Sequence, residues 1–430
     1  MKSLNSKSSY FELILIVVLF LISLINTPLL IVSVLLSFIL LRQKEMGLIK
    51  LLYLYTIRFV VSSGIDHAQS GTIINIIRYF LIYVCGIVFV AKSFKSWSNN
   101  KIISLFITMT FILMIFLLIP NILVSNYPVV ATFKLINYII PLTIVVILVS
   151  QIANLNELIN WIANQFKFLI VFSLLFVKTS IGYLLNGFSF QGVLNHPNLF
   201  AVLLSMGLIV IMVSLYKDSS KFNLNILILV VGLYELVLSN SRTAVISFLV
   251  IMLIFFLLIK IKLYKKVLII LIGTILIVSA FMVPIFQSKI MEFIEKGQSS
   301  DKVLLSRYGQ INNFEISLRE YPLFGNGFGI PINNTSLSLN NYTFEAGNII
   351  FGLIIFTGIV GLVIYAVYLI SIIFIAKKPF RVTITLFLIT ILVNMGEMIM
   401  FSSTNVGLIC YILWGIYLKE GAFTQYEKHL

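Results

Sequence analysis

An all-α bundle of about 12 to 14 transmembrane helices, both termini cytoplasmic, with one long external loop containing short helices, is what this chain encodes. Composition points there first. Of 430 residues, 60% are hydrophobic and 10% charged, with a mean hydropathy of +1.09, a balance that no soluble globular domain of this length keeps in solution. Apolar windows of about 20 residues, the length a helix needs to cross a hydrocarbon core, recur from Phe11 to the C-terminus. Backbone polar groups find no water in lipid, and the apolar runs lack the alternation of barrel strands, so the spans are helices.

The first span, Glu12 to Ile25, follows Lys2 and Lys7 as a signal peptide would, but Asn26-Thr27-Pro28 offers no small-residue cleavage pattern, which predicts a retained anchor. A tight pair of spans turns at Pro28, and a short run, Leu48 to Val61, carries Arg58. Basic residues then alternate with apolar runs: Arg42, Lys44 and Lys50; Lys92, Lys95 and Lys101; Lys167; Lys217 and Lys221; Lys260 to Lys266; Lys377, Lys378 and Arg381; Lys419 and Lys428. About two-thirds of the 30 Lys and Arg residues stand at these points or near the N-terminus, which marks them as cytoplasmic. The formal charge of +15 is therefore an orientation signal with some attraction to anionic headgroups, and nucleic acid is not an expected partner.

The outward segments are then Asn26 to Pro28, Ser62 to Gly71, Asn121 to Ala131, Asn186 to Pro197, Ser239 to Arg242, Gln287 to Ala346 and Phe401 to Asn405. The expected organisation is a single integral membrane domain over 1–430, with residues 287–346 as its large extracytoplasmic loop. One cytoplasmic segment differs in kind. Ile152, Leu155, Ile159, Ile162 and Phe166 recur at three- and four-residue spacing beside Trp161, the pattern of an amphipathic helix lying in the membrane plane.

Several chemistries are not indicated. Cys85 and Cys410 sit inside apolar spans as small hydrophobes, so neither a disulfide nor a metal site is expected. His67, His196 and His429 have no metal-ligand spacing. The run Gly325 to Gly329 (GNGFG) is neither a P-loop nor a dinucleotide fingerprint, so no cofactor or nucleotide is expected. An internal repeat or an inverted pair of broken helices, the mark of many transporters, is not visible.

Polar groups in or beside the membrane are costly and so become functional candidates. Arg242 lies between a span ending at Leu238 and one beginning at Thr243. Its planar, permanently charged fork suits a pyrophosphate, or else anchors a helix end by snorkelling. Arg307 and Arg319 fall on a segment, Asp301 to Glu320, with apolar residues at Leu304, Tyr308, Ile311 and Leu318; they are either site residues or solvated helix charges beside Glu315 and Glu320. Glu345 is either a loop acid or a carboxylate at a cavity mouth. Glu235 and Glu397, inside spans, must be protonated or paired and brace the bundle or the cavity. Tyr308, Tyr321, Asn326 and Tyr342 either meet sugar rings or pack a lid.

Taken in order, NHPNLFAVLL (Asn195 to Leu204), SNSRTA (Ser239 to Ala244), SRY (Ser306 to Tyr308), YPLFGNGFG (Tyr321 to Gly329) and TGIVG (Thr357 to Gly361) resemble the O-antigen ligase and polymerase family. These are bacterial enzymes that handle glycans on undecaprenyl pyrophosphate at the outer face of the cytoplasmic membrane. The resemblance covers residues 186–361. It implies that Arg242 and Arg307 are the motif arginines. Ligase-type members typically place a His-Asn pair at the start of the following span, where this chain has Gly347-Asn348, a departure that favours the polymerase branch.

The implied reaction transfers a growing capsule or O-antigen glycan from undecaprenyl pyrophosphate to a sugar hydroxyl of another lipid-linked repeat. Departure of pyrophosphate builds negative charge that Arg242 and Arg307 would stabilise where it develops. Glu345, or alternatively His196, would take the acceptor proton. Asn198, Tyr308, Arg319 and Asn348 are the expected substrate-binding residues. Lipid-linked repeat units and membrane lipid are the partners implied, with a chain-length regulator and a flippase beside them. Two alternatives stand: the ligase branch, and a flippase for lipid-linked oligosaccharides or another polytopic transporter.

Overall fold

The computed structural model describes residues 2–68, 71–218, 222–262, 308–332, 346–376, 380–402 and 406–423. Among them the chain is helical, with one isolated antiparallel bridge between Val61 and Leu194. The helices are α1 (Lys2–Ile22), α2 (Thr27–Ser37), α3 (Glu45–Phe59), α4 (Gly71–Tyr79), α5 (Ile87–Lys92), α6 (Phe94–Ser98), α7 (Lys101–Leu123), α8 (Pro128–Gln151), α9 (Leu155–Leu174) and α10 (Pro197–Lys217). There follow α11 (Phe222–Leu238), α12 (Arg242–Leu258), α13 (Tyr308–Glu320), α14 (Ile349–Ile375), α15 (Ile384–Val393) and α16 (Gly407–Phe423). A π-helical stretch, Phe80–Gly86, joins α4 to α5.

Five helical stretches among the described residues, Gly71–Lys92, α7, α8, α10 and α14, are long and apolar enough to cross a membrane, and several shorter apolar helices pack beside them. Asparagines start many of these elements: Asn26, Asn100, Asn154 and Asn348 each accept an otherwise unpaired N–H of the first turn. At the centre lies α16, whose hydrophobic residues from Val406 to Leu418 are 1% exposed or less. Peripheral helices turn apolar stripes outward, as α14 does with Val363, Val367, Ile370 and Phe374. Such a stripe suits lipid and would be a liability in water.

Helix α9 corrects one expectation. The periodic segment at Ile152 to Phe166 is not an in-plane surface helix; from Leu155 onward it forms the first half of α9, which runs antiparallel along α10. Ser214 on α10 donates to Asn160 at 2.7 Å. A Cβ on Gly207 would lie 2.4 Å from the Phe166 ring, and one on Gly192, just before α10, 2.6 Å from Ser173 Oγ. The apolar stripe is spent on a partner helix.

Residues expected to share a side of the membrane share an end of the bundle. At one end Lys217 pairs with Glu420 at 2.6 Å, Arg381 donates to the Glu420 carbonyl, and Lys50 pairs with Glu12. At the other, Arg58 forks onto both oxygens of Asp66 at 2.6 and 2.8 Å and reaches the Ser23 carbonyl at 2.9 Å. The side chain of Arg58 is 2% exposed, and that carboxylate compensates its buried charge. Replacing Asp66 by Asn strips the partner from a buried cation and is expected to cost about 3 kcal/mol, read as a lower unfolding temperature of the solubilised protein.

Candidate functional site

Three helices begin at this second end and meet around the turn that follows α15. The turn is built on Asn394, fully buried, whose Oδ1 accepts the N–H groups of Ile399 and Met400 at 2.8 and 2.9 Å while its Nδ2 donates to the Thr390 carbonyl. Wound about that amide, Met395 to Met398 project toward the helix starts. From α14, Asn348 donates to the Met395 carbonyl at 2.9 Å, and the Ile349 N–H donates to the Asn394 carbonyl. From α12, Thr243 lies against Gly396, where an added Cβ would stand 2.4 Å from the threonine Cβ. From α10, the Asn198 amide donates to the carboxylate of Glu397.

Arg242 is the first residue of α12 and half-buried. The chain reverses into it through Asn240, which adopts a left-handed φ of 54° that asparagine tolerates better than most residues. The cap residue Ser241 makes no side-chain bond to the first turn, unlike the caps of α10 and α14. Three positive dipole ends thus face one junction, with Arg242 as the first residue of one of the three helices.

His196 caps α10: its Nδ1 accepts the Asn198 N–H at 3.1 Å, with Pro197 following at the first helical position. His196→Asn, which keeps a capping acceptor, is expected to preserve stability and transfer, whereas His196→Leu should lose about 1 kcal/mol.

Helix α13 runs alongside the first turns of α14. Phe314 stacks on Phe351 with centroids 4.5 Å apart, and Gln310 occupies the space above Gly347, whose φ is +70° and whose Cβ, if present, would lie 2.2 Å from the amide. The start of α13 is therefore beside the junction. Tyr308, its first residue, is exposed; Arg307 precedes it and, like Glu345 and Tyr342, lies outside the described residues. Arg319 is exposed at the far end of α13, roughly 16 Å along its axis, and is not brought to the junction.

Beyond α13 the chain dips into a break in α14. Gly358 has φ 66° and ψ −170° inside that helix. The carbonyls of Ile355 and Phe356, freed by the break, accept from the N–H groups of Asn326 and Gly327 at 2.9 and 3.0 Å. The N–H groups of Ile359 and Val360 donate to the carbonyls of Pro322 and Leu323. Each motif thus satisfies the polar backbone that the other exposes at a depth where water is scarce. Side chains secure the insertion: Asn121 accepts from the Phe328 N–H at 2.7 Å, Lys134 donates to the Gly329 carbonyl at 2.5 Å, and buried Asn326 donates to the Pro331 carbonyl. Asn326 is a packing residue of this loop, and the glycines are points of close backbone approach.

Of the expected site residues, Arg242, His196, Asn198 and Asn348 come together. Glu397 joins them although the sequence marks it only as an acid within a span; the signal available was the cost of a carboxylate there. Lys134, a lysine within α8, carried the same signal.

These features define a helical, multi-pass membrane protein with a polar junction of helix starts at one end. Residues 227–366, about a third of the chain, match the family model for O-antigen ligase, which supports the resemblance to the O-antigen ligase and polymerase family. The match takes in Arg242, Ser306 to Tyr308, Tyr321 to Gly329 and Thr357 to Gly361, and indicates glycan transfer in a membrane. Among curated proteins none matches the chain.

Proposed function

We propose that the protein is a polysaccharide polymerase. It transfers a growing capsule or O-antigen glycan from undecaprenyl pyrophosphate to a sugar hydroxyl of a second lipid-linked repeat, at the outer face of the bacterial cytoplasmic membrane. The observation that carries this reading is Arg242 at the uncapped start of α12, in a junction of three helix N-termini, inside the segment that matches the O-antigen ligase family. Helix starts and a guanidinium fork are the groups that bind a diphosphate and stabilise its departing charge. In this reading Arg307, one residue before the start of α13, supplies the second cation, while Asn198, Asn348 and Tyr308 border the sugar.

The polymerase branch is favoured over the ligase branch by position 347. There a glycine with a left-handed backbone stands in place of the histidine typical of ligase-type members. Substituting Arg242 in cells separates this function from that of a transporter. An inactive polymerase leaves single repeats on lipid at the outer face, whereas an inactive flippase leaves them trapped inside; accumulation inside would overturn the reading.

A further inference from the structure

We propose that Glu397 is the general base that takes the proton of the acceptor hydroxyl, a role that rests on the glycan-transfer reading above. Glu397 is half-buried, and the turn that carries it is held at the junction from three sides. Asn198 of α10 donates directly to one of its oxygens. Asn348 of α14 holds the carbonyl of Met395 two residues earlier. Gly396, its immediate neighbour, is seated on Thr243, the residue after Arg242. A base must be placed before it can be useful, and a group clamped by three helices loses little freedom when substrate arrives.

Among the described residues, which do not include Glu345, the inventory of the junction favours this residue. His196 has its accepting nitrogen committed to the α10 cap. Position 347 is a glycine and carries no side chain, and the turn bearing Glu397 is hydrogen-bonded to the very next residue, Asn348. In the step itself, the acceptor oxygen bonds to the anomeric carbon as that carbon's bond to the diphosphate oxygen breaks. The electron pair of the broken bond leaves on the diphosphate, and the hydroxyl proton passes to the Glu397 carboxylate, which later releases it to water.

The test uses full-length protein reconstituted in vesicles with one lipid-diphosphate-linked repeat as both donor and acceptor. Glu397→Gln keeps an oxygen for the Asn198 amide while removing the base. It is expected to lower kcat by about 100- to 10,000-fold with the donor KM unchanged. Glu397→Ala is expected to be equally slow and to regain turnover with added formate, a small carboxylate that enters the space left; Glu397→Gln, with that space filled, is expected not to respond. Glu397→Asp, which retains the carboxylate should the other variants fold poorly, is expected to keep part of the wild-type kcat. A Gln variant as fast as wild type, a folded Ala variant that formate does not revive, or an Asp variant that is folded and inert would each overturn the assignment. Wild-type protein inert on the lipid-linked repeat would instead remove the polymerase reading, and this role with it.

Discussion

Arg242→Ala is expected to slow repeat transfer by about 100- to 1,000-fold, the loss seen when one preorganised charge-stabilising group is taken from a developing anion. The reasoning starts from the place of the residue. Arg242 opens α12 at a point where three helix starts converge and where Ser241 makes no side-chain bond to the first turn. Negative charge grows on the diphosphate only as the anomeric bond breaks, so the loss should fall on kcat more than on donor KM. Arg242→Lys keeps the charge but not the planar fork and should fall between alanine and wild type. Equal kcat for the alanine variant and wild type on a reconstituted lipid-linked repeat would show that Arg242 serves only as a helix anchor.

The second large effect concerns the break in α14. Gly358→Ala is expected to destabilise the protein by about 3–5 kcal/mol and to abolish transfer. The residue combines a φ of 66° with a ψ of −170°, a region that side chains do not tolerate, and an added Cβ would lie 2.2 Å from the Leu323 carbonyl. Relieving that clash means withdrawing the Tyr321 to Gly329 loop, which breaks the four backbone hydrogen bonds that now pair across the break. Gly309→Ala on α13 is the control. Nothing lies within 4 Å of its Cβ, and alanine favours a helix by roughly 0.5–1 kcal/mol. Thermal unfolding of the two variants in detergent should move in opposite directions; equal melting of Gly358→Ala and wild type would mean that the loop is not held by the break.

Much of this architecture can be read from local chemistry. Apolar runs with Asn or His-Pro at their starts mark helices because caps and fixed φ angles act within a turn, so the starts of α2, α7, α10 and α14 are visible in the chain. The site is partly legible for the same reason: Arg242 and His196 stand out as polar residues at helix starts. What is not legible is long-range. YPLFGNGFG and TGIVG are separate glycine-rich motifs in sequence, and only hydrogen bonds between residues some thirty apart reveal that one fills the gap in the other. The face of α9 carries an amphipathic period that fits a headgroup layer and a partner helix equally well, and Gly207 and Ser214 on α10 decide it. Glu397 reads as a brace until the fold brings Asn198, some two hundred positions away, onto its carboxylate.

The most direct measurement gives the purified full-length protein, in lipid vesicles, one undecaprenyl-diphosphate-linked repeat with no nucleotide and no second protein, and follows glycan length on the lipid. The account predicts a ladder of lengthened glycans with release of undecaprenyl diphosphate, absent from the Arg242→Ala protein. Repeats that cross the bilayer unlengthened, or that stay single while the folded wild-type protein is present, would contradict it.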